Sequence, residues 1–147
     1  MDAPATPTAL FRRIEASFLR QGMMRHLGAR LLRVEPGLCE VALPYSDRVT
    51  QQQGGFHGGA MGALADIAGG YAGLTVAAED TEVTTVEYKI NLMAGFNDGE
   101  LRALGRVVKA GKRIIVTTAE VTHIAPGGKQ SDCALMQQTL VPVPKTY

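Results

Sequence analysis

The chain has 147 residues, the size of one domain, which is enough to bury a sizeable core. Its 46% apolar and 20% charged residues exclude a disordered chain, and a net charge of +1 without a basic or acidic arm argues against a nucleic-acid partner. Cys39 and Cys133 match no metal or redox spacing and are interpreted as core thiols. The N-terminus lacks a secretory pattern, so we expect a cytoplasmic protein.

The first predicted element is an amphipathic helix over residues 7–21. Thr6 is the candidate cap, Pro7 suits the first turn, and Gly22 is the expected stop. Its apolar face repeats at helical spacing and comprises Leu10, Phe11, Ile14 and Phe18. Residues 1–24 are therefore expected to form a helical extension in front of the rest of the domain.

Strand patterns dominate the remainder of the chain. Alternating or β-branched segments bounded by turn residues predict strands at 28–35, 38–44, 82–93, 100–109, 112–124 and 130–142. A loop at 50–56 and a long helix at 58–78 separate the second strand from the third. Antiparallel strands around one helix predict a single α+β domain over residues 1–147.

The helix at 58–78 has an unusual composition. Eight of the chain's 17 glycines lie between residues 54 and 73. Each glycine inside a helix costs about 1 kcal/mol relative to alanine, so close approach to a sheet or a twin helix must compensate. The pattern predicts a helix buried on all sides. A membrane span is the alternative, but Asp66 at its centre, which costs about 2.5–3.5 kcal/mol on insertion, argues against it.

Asp66 is the only Asp, Glu, Lys or Arg between Arg48 and Glu79. A carboxylate on a buried helix must be hydrogen-bonded, be protonated, or take part in chemistry that offsets the cost of its burial. One interpretation is a structural Asp bonded to backbone or to hydroxyls of the sheet. The other is a group that acts in proton transfer or nucleophilic attack.

The sequence His57-Gly58-Gly59 stands where the helix should begin. A helix N-terminus offers unpaired N–H groups and partial positive charge, and glycines let a carbonyl approach them, as in an oxyanion hole. His57 and Asp66 are nine residues apart, about 13.5 Å along a helix, which is too far for one reacting carbonyl. We therefore expect a site shared by two antiparallel copies of the helix in a two-fold dimer.

The run HGGAMGALADIAGGYA, preceded by QQQGGF, resembles the hotdog-fold acyl-CoA thioesterases of the PaaI type. The later stretches TTVEYKINLMA and GRVVKAGKRIIVTTAEV are similar to strands of that family, and the resemblance covers roughly residues 25–142. It implies a hotdog fold, an antiparallel sheet of five or six strands wrapped around a long central helix, in a homodimer or a dimer of dimers. It also implies hydrolysis of an acyl-CoA, with coenzyme A as part of the substrate and no separate cofactor.

The resemblance implies roles at three positions of this motif. Asp66 matches the acidic residue that acts as nucleophile or as general base for water. Gly58 matches the residue whose backbone N–H polarises the thioester carbonyl, and His57 matches the histidine that shapes the turn before it. The alternative for His57 is simple hydrogen bonding at the helix start.

Two further positions are implied less directly. Thr85, or Thr84 if the alignment slips by one residue, falls where related proteins place a Ser or Thr near the attacking water; an ordinary strand residue is the alternative. Gln51 falls where many members have Asn, a departure from the pattern, and Gln52 or Gln53 could act instead.

Candidate substrate-binding residues are Gly59 at the helix start and three cations near a predicted turn, Lys109, Lys112 and Arg113. The cations are suited to the phosphates of coenzyme A, while a solvated hairpin end is the alternative. No His, Cys and Asp cluster has ligand spacing, so no metal is implied. A hotdog-fold hydratase or dehydratase and a non-catalytic acyl-CoA-binding module remain as alternative functions.

Overall fold

The computed structural model describes residues 6–147, and the first five residues of the predicted extension lie outside this range. In chain order the helices and strands are α1 Ala9–Phe18, α2 Gly22–Leu27, β1 Arg30–Glu35, β2 Leu38–Pro44, α3 Gly58–Leu74, β3 Thr81–Leu92, β4 Glu100–Ala110, β5 Ile115–Ile124 and β6 Gln130–Pro144. A short 3-10 turn, Asp47–Val49, precedes the loop that leads into α3.

The six strands form one antiparallel sheet in the order β1-β2-β4-β5-β6-β3. Helix α3 packs against five of them, and the contact with β4 is the closest. A Cβ added at Gly105 would lie 2.1 Å from the carbonyl oxygen of Ala68, so only glycine lets the helix backbone approach the sheet here. The predicted α+β hotdog architecture is confirmed.

The predicted amphipathic helix is present as α1, but its predicted bounds of 7–21 are wrong. Thr8, not Thr6, caps α1 by accepting a hydrogen bond from the backbone N–H of Phe11. Gly22 begins α2 rather than ending α1, and the left-handed Gly28 (φ 77°) ends α2. The chain redirects after Phe18 because a continuous helix would keep the later apolar residues Met24 and Leu27 out of the core in which they are buried.

Helix α3 ends four residues earlier than predicted. Beside its last turn, the Thr75 hydroxyl donates to the carbonyl of Ala72 and accepts the backbone N–H of Gly37. The expectation that this helix is buried on all sides is also wrong for the single chain. One side is only partly covered and comprises Gly59, Ala63, Asp66, Ile67 and Gly70. The sheet curves around the other faces only, and nothing in residues 6–147 closes this one.

Both cysteines lie in the core, where burial raises the pKa of the Cys39 thiol to about 12 and that of Cys133 to about 11. Both thiols stay protonated at neutral pH and behave as small apolar groups. No helix within residues 6–147 is long and apolar enough to cross a membrane.

Candidate active site

Asp66 lies in the middle of α3 and is hydrogen-bonded to side chains of two strands, β3 and β6. Its Oδ1 accepts one hydrogen bond from the Thr85 hydroxyl of β3 and one from Nε2 of Gln138 on β6, both at 2.7 Å. Its Oδ2 receives no hydrogen bond from residues 6–147, and this atom is not buried. The carboxylate is therefore held through one oxygen while the other is open.

A second layer of polar side chains lies behind Asp66. Thr117 on β5 stands directly opposite Gln138 on β6, and its hydroxyl donates to Oε1 of Gln138 at 2.8 Å. Both side chains are completely buried. A Cβ at Gly69 would lie 1.9 Å from Oε1 of Gln138 and 2.7 Å from Oγ1 of Thr117, so this glycine of α3 makes room for the pair.

Neither Gln138 nor Thr117 was predicted as a site residue. A signal existed in the strand alternation, because Met136, Gln138 and Leu140 share the inward face of β6. A glutamine at an inward position requires a polar partner, which the alternation does not identify.

An open pocket of about 210 Å³ lies beside Asp66. Its other lining residues are Gln21, Ile67, Gly70, Tyr71, Leu74, Glu82, Val83 and Thr85. The Tyr71 hydroxyl accepts from Nε2 of Gln21 at 2.8 Å and lies 3.0 Å from Oγ of Ser17. Burial raises the pKa of Tyr71 to about 12, so this phenol stays neutral. The pocket lining thus combines the carboxylates of Asp66 and Glu82 with apolar side chains and neutral hydrogen-bonding groups.

The N-terminus of α3 presents backbone N–H groups instead of a carboxylate. His57 is its cap, and Nδ1 of the imidazole accepts the backbone N–H of Gly59 at 2.8 Å. The N–H of Gly58 has no acceptor within residues 6–147. A Cβ at Gly58 would lie 2.6 Å from Cδ1 of Leu92, which covers this turn. The helix start thus presents an unused donor at its positive end.

Gln51 folds back onto its own loop. Its side-chain carbonyl accepts the backbone N–H of Gln53, which leaves the amide Nε2 as a donor close to Gly55. Gln52 and Gln53 are exposed.

The three predicted cations are exposed at the β4–β5 hairpin. This hairpin lies toward the C-terminal end of α3, because Ile115 at the start of β5 packs near Gly73. Within residues 6–147, Lys109, Lys112 and Arg113 form no salt bridge, and none of them contacts Asp66.

The structure therefore brings Asp66 and Thr85 together in one chain but does not bring Gly58 to them. Gly58 and Asp66 lie on the same helix about 12 Å apart along its axis. No group of His, Cys, Asp and Glu side chains that could hold a metal ion occurs among the described residues.

Comparisons with known proteins agree with this architecture. The family model of the thioesterase superfamily matches residues 53–127, just over half of the chain, and the chain belongs to this superfamily. A crystal structure of a thioesterase family protein from Silicibacter pomeroyi is 33% identical and has a TM-score of 0.87, covering 93% of this chain and 100% of that one.

Two other similar proteins either match a smaller part of the chain or have a lower sequence identity. The proofreading thioesterase EntH of Klebsiella pneumoniae is 33% identical over 91 residues, 62% of this chain and 66% of that protein. The E. coli PaaI protein, at 20% identity and a TM-score of 0.81 over 93% of this chain and 95% of that one, shares the fold. The chain spans about two thirds of the length of the curated relatives it matches. The predicted resemblance to hotdog-fold thioesterases is confirmed.

Proposed function

We propose that this protein hydrolyses an acyl-CoA to a free acid and coenzyme A. The observation that carries the proposal is the half-buried Asp66, held by Thr85 and Gln138 through one oxygen, with its second oxygen open beside a pocket. The unused N–H of Gly58 at a helix N-terminus supplies the other half of a site for acyl transfer, a donor for a developing oxyanion. Membership of the thioesterase superfamily supports this reading.

The two halves meet when two chains pair with their α3 helices antiparallel. Two features of the single chain support such a homodimer. The partly covered side of α3 includes Asp66 itself. Strand β3 is an unpaired edge of 12 residues with exposed apolar side chains, including Val86 (56% exposed), Leu92 (50%) and the adjacent Met93 (56%). A long apolar edge is a template for pairing with another chain. A dimer of dimers remains part of the proposal.

In the proposed reaction the Gly58 N–H of one subunit polarises the thioester carbonyl. Asp66 of the other subunit either takes a proton from water as the water oxygen attacks the carbonyl carbon, or attacks that carbon itself to form an anhydride that water then cleaves. In both routes the C–S bond breaks, the sulfur leaves as the coenzyme A thiol after protonation, and the acyl group gains the oxygen of water. Both routes use the same ionised carboxylate.

Supporting roles follow from the positions of the remaining candidates. The His57 imidazole fixes the backbone of Gly59 and so shapes the turn that presents the Gly58 N–H. The free Nε2 of Gln51 is assigned as a second donor near the thioester. Lys109, Lys112 and Arg113 are assigned to the phosphates of coenzyme A, since they are exposed cations without carboxylate partners in the described part of the chain.

Thiol release from a panel of aryl and aliphatic acyl-CoAs tests the proposal with wild type, Asp66→Asn and the control Asp80→Asn. The asparagine carbonyl can keep both hydrogen bonds of Oδ1, so the substitution changes mainly the open oxygen. We expect kcat to fall by about 100-fold or more in Asp66→Asn, as for a removed acid–base group, and to be unchanged in Asp80→Asn.

Equal thiol release by wild type and Asp66→Asn would remove Asp66 from the reaction. A hydroxyacyl or enoyl thioester formed without free thiol would instead identify a hydratase or dehydratase. Tight acyl-CoA binding without any product would identify a binding module.

A further inference from the structure

The two oxygens of Asp66 have unequal surroundings. Oδ1 receives the hydrogen bonds of Thr85 and Gln138, whereas Oδ2 receives none within residues 6–147, and Asp66 is one of the residues that line the pocket. Rotation of the carboxylate about its Cβ–Cγ bond by 180° exchanges two equivalent oxygens and changes nothing, but a smaller rotation tilts the carboxylate plane. What restricts that tilt therefore sets the direction in which the lone pairs of the open oxygen point.

Gln138 can hold the carboxylate because its own amide has one orientation. The Thr117 hydroxyl donates to Oε1, which turns the NH₂ group toward Asp66. One N–H reaches Oδ1 at 2.7 Å, and Nε2 lies 3.3 Å from the Thr85 hydroxyl oxygen. A flipped amide would place Oε1 against the carboxylate, two acceptors facing each other. Because Gln138 and Thr117 are fully buried, no water competes for these bonds.

The backbone of α3 is adapted to this arrangement. The absence of a side chain at Gly69 lets the Gln138 amide lie against the helix one turn beyond Asp66. Simple core filling at this position would be met by an apolar residue such as the neighbouring inward-facing Met136 and Leu140. The free-energy cost of burying an amide is offset only if its N–H groups and its carbonyl form hydrogen bonds.

We propose that Gln138, supported by Thr117, is a positioning residue that fixes the plane of the Asp66 carboxylate, so that the oxygen without donors is held in one direction for the reaction. The inference rests on the proposed thioester hydrolysis and assigns to it Gln138, which bonds Asp66, and Thr117, which bonds Gln138. Without the amide, only the Thr85 hydroxyl restrains the carboxylate. Misorientation of a reacting group lowers the rate of the chemical step while leaving substrate contacts intact.

The test compares Gln138→Met, the double variant Thr117→Val with Gln138→Met, and the control Gln137→Met. Gln137 is the exposed neighbour on the same strand and points away from the core. Methionine keeps the length of glutamine but removes the amide, which leaves the Thr117 hydroxyl unpaired in the single variant. In the double variant both polar groups are replaced by apolar groups of similar shape, so stability should return toward that of wild type.

We expect kcat to fall about 10- to 100-fold with little change in KM in both Gln138→Met variants, and neither to change in Gln137→Met. If kcat returns together with stability in the double variant, the pair is merely structural and the proposal is overturned. Unchanged kcat in Gln138→Met at wild-type stability would overturn it as well.

A readout independent of catalysis separates this proposal from the proposed function. High-resolution crystal structures of wild type and Gln138→Met show the orientation of the Asp66 carboxylate. We expect a single orientation in wild type and a rotated or divided one in the variant. If wild type releases no thiol but the carboxylate rotates in the variant, hydrolysis is wrong and the positioning role stands. An unmoved carboxylate would overturn the positioning role whatever the activity.

Discussion

The middle of helix α3 and its N-terminal end differ in how completely one chain furnishes them. In the middle, Asp66 has two donors from two strands and a buried polar pair behind them. At the end, the Gly58 N–H has no acceptor in the described part of the chain, while the N–H of its neighbour Gly59 is bonded to the His57 imidazole. The carboxylate is therefore fully positioned by residues of its own chain, whereas the helix start has a donor without an acceptor, to which only the proposed function assigns a role.

The largest expected effect comes from removing the unused donor. Gly58→Pro deletes the N–H at the first helical position, where proline is favoured, and His57 already has the extended conformation (ψ 135°) that precedes proline. We expect kcat to fall about 100- to 1,000-fold, as for the loss of an oxyanion donor. Acyl-CoA turnover and thermal unfolding measure activity and integrity.

Gly58→Ala is the matched variant, because it adds the same Cβ against Leu92 but keeps the N–H. A small loss in Gly58→Ala together with a large loss in Gly58→Pro isolates the donor. Equal losses in the two variants would show that crowding of Leu92, and not the hydrogen bond, governs the activity.

Complementation between two inactive variants tests whether Gly58 and Asp66 of one site come from different chains. Asp66→Asn and Gly58→Pro subunits are each expected to be inactive alone. In a mixed dimer one of the two sites combines an intact Asp66 with an intact Gly58. Purified mixed dimers should therefore have about half of the wild-type activity.

Co-expression with two affinity tags, followed by thiol-release assays on the doubly tagged fraction, measures this complementation. Activity that stays at the level of the single variants in purified mixed dimers would place Gly58 and Asp66 of one site in the same chain. A wild-type protein that is monomeric in sedimentation and fully active would lead to the same conclusion.

The smallest expected effects are on the free energy of unfolding and concern two glycines in the middle of α3. Gly69→Ala places a methyl group against Gln138 and Thr117 and should lower the free energy of unfolding by about 1–3 kcal/mol through overpacking. A Cβ at the adjacent Gly70 meets nothing within 4 Å, so Gly70→Ala should raise that free energy by up to about 1 kcal/mol through helix propensity. Denaturant unfolding of the two variants measures the difference, and changes of equal sign would contradict the tight packing around Gln138.

Local sequence patterns were sufficient for most of the fold. The six strands, the position of α3 and the lone carboxylate follow from alternation, turn residues and the charge gap around Asp66, all of which act within a few residues. The N-terminal helices were misjudged because the amphipathic pattern through Phe18 does not reveal where the chain must redirect to bury Met24. Propensity specifies the helix, but packing decides where it stops.

The amino-acid pattern alone predicts the helices and strands and two chemical groups on one helix, a carboxylate and a glycine-rich helix start. That Gln138, 72 residues away from Asp66, donates to it and that Thr117 orients the amide is visible only in the folded chain. These contacts depend on the register of β5 on β6, in which a slip of one residue would turn Gln138 to the other face of the sheet. The alternation along β6 places Gln138 on the inward face, but which residues lie opposite it depends on the pairing of β5 with β6 and on the packing of the sheet against α3.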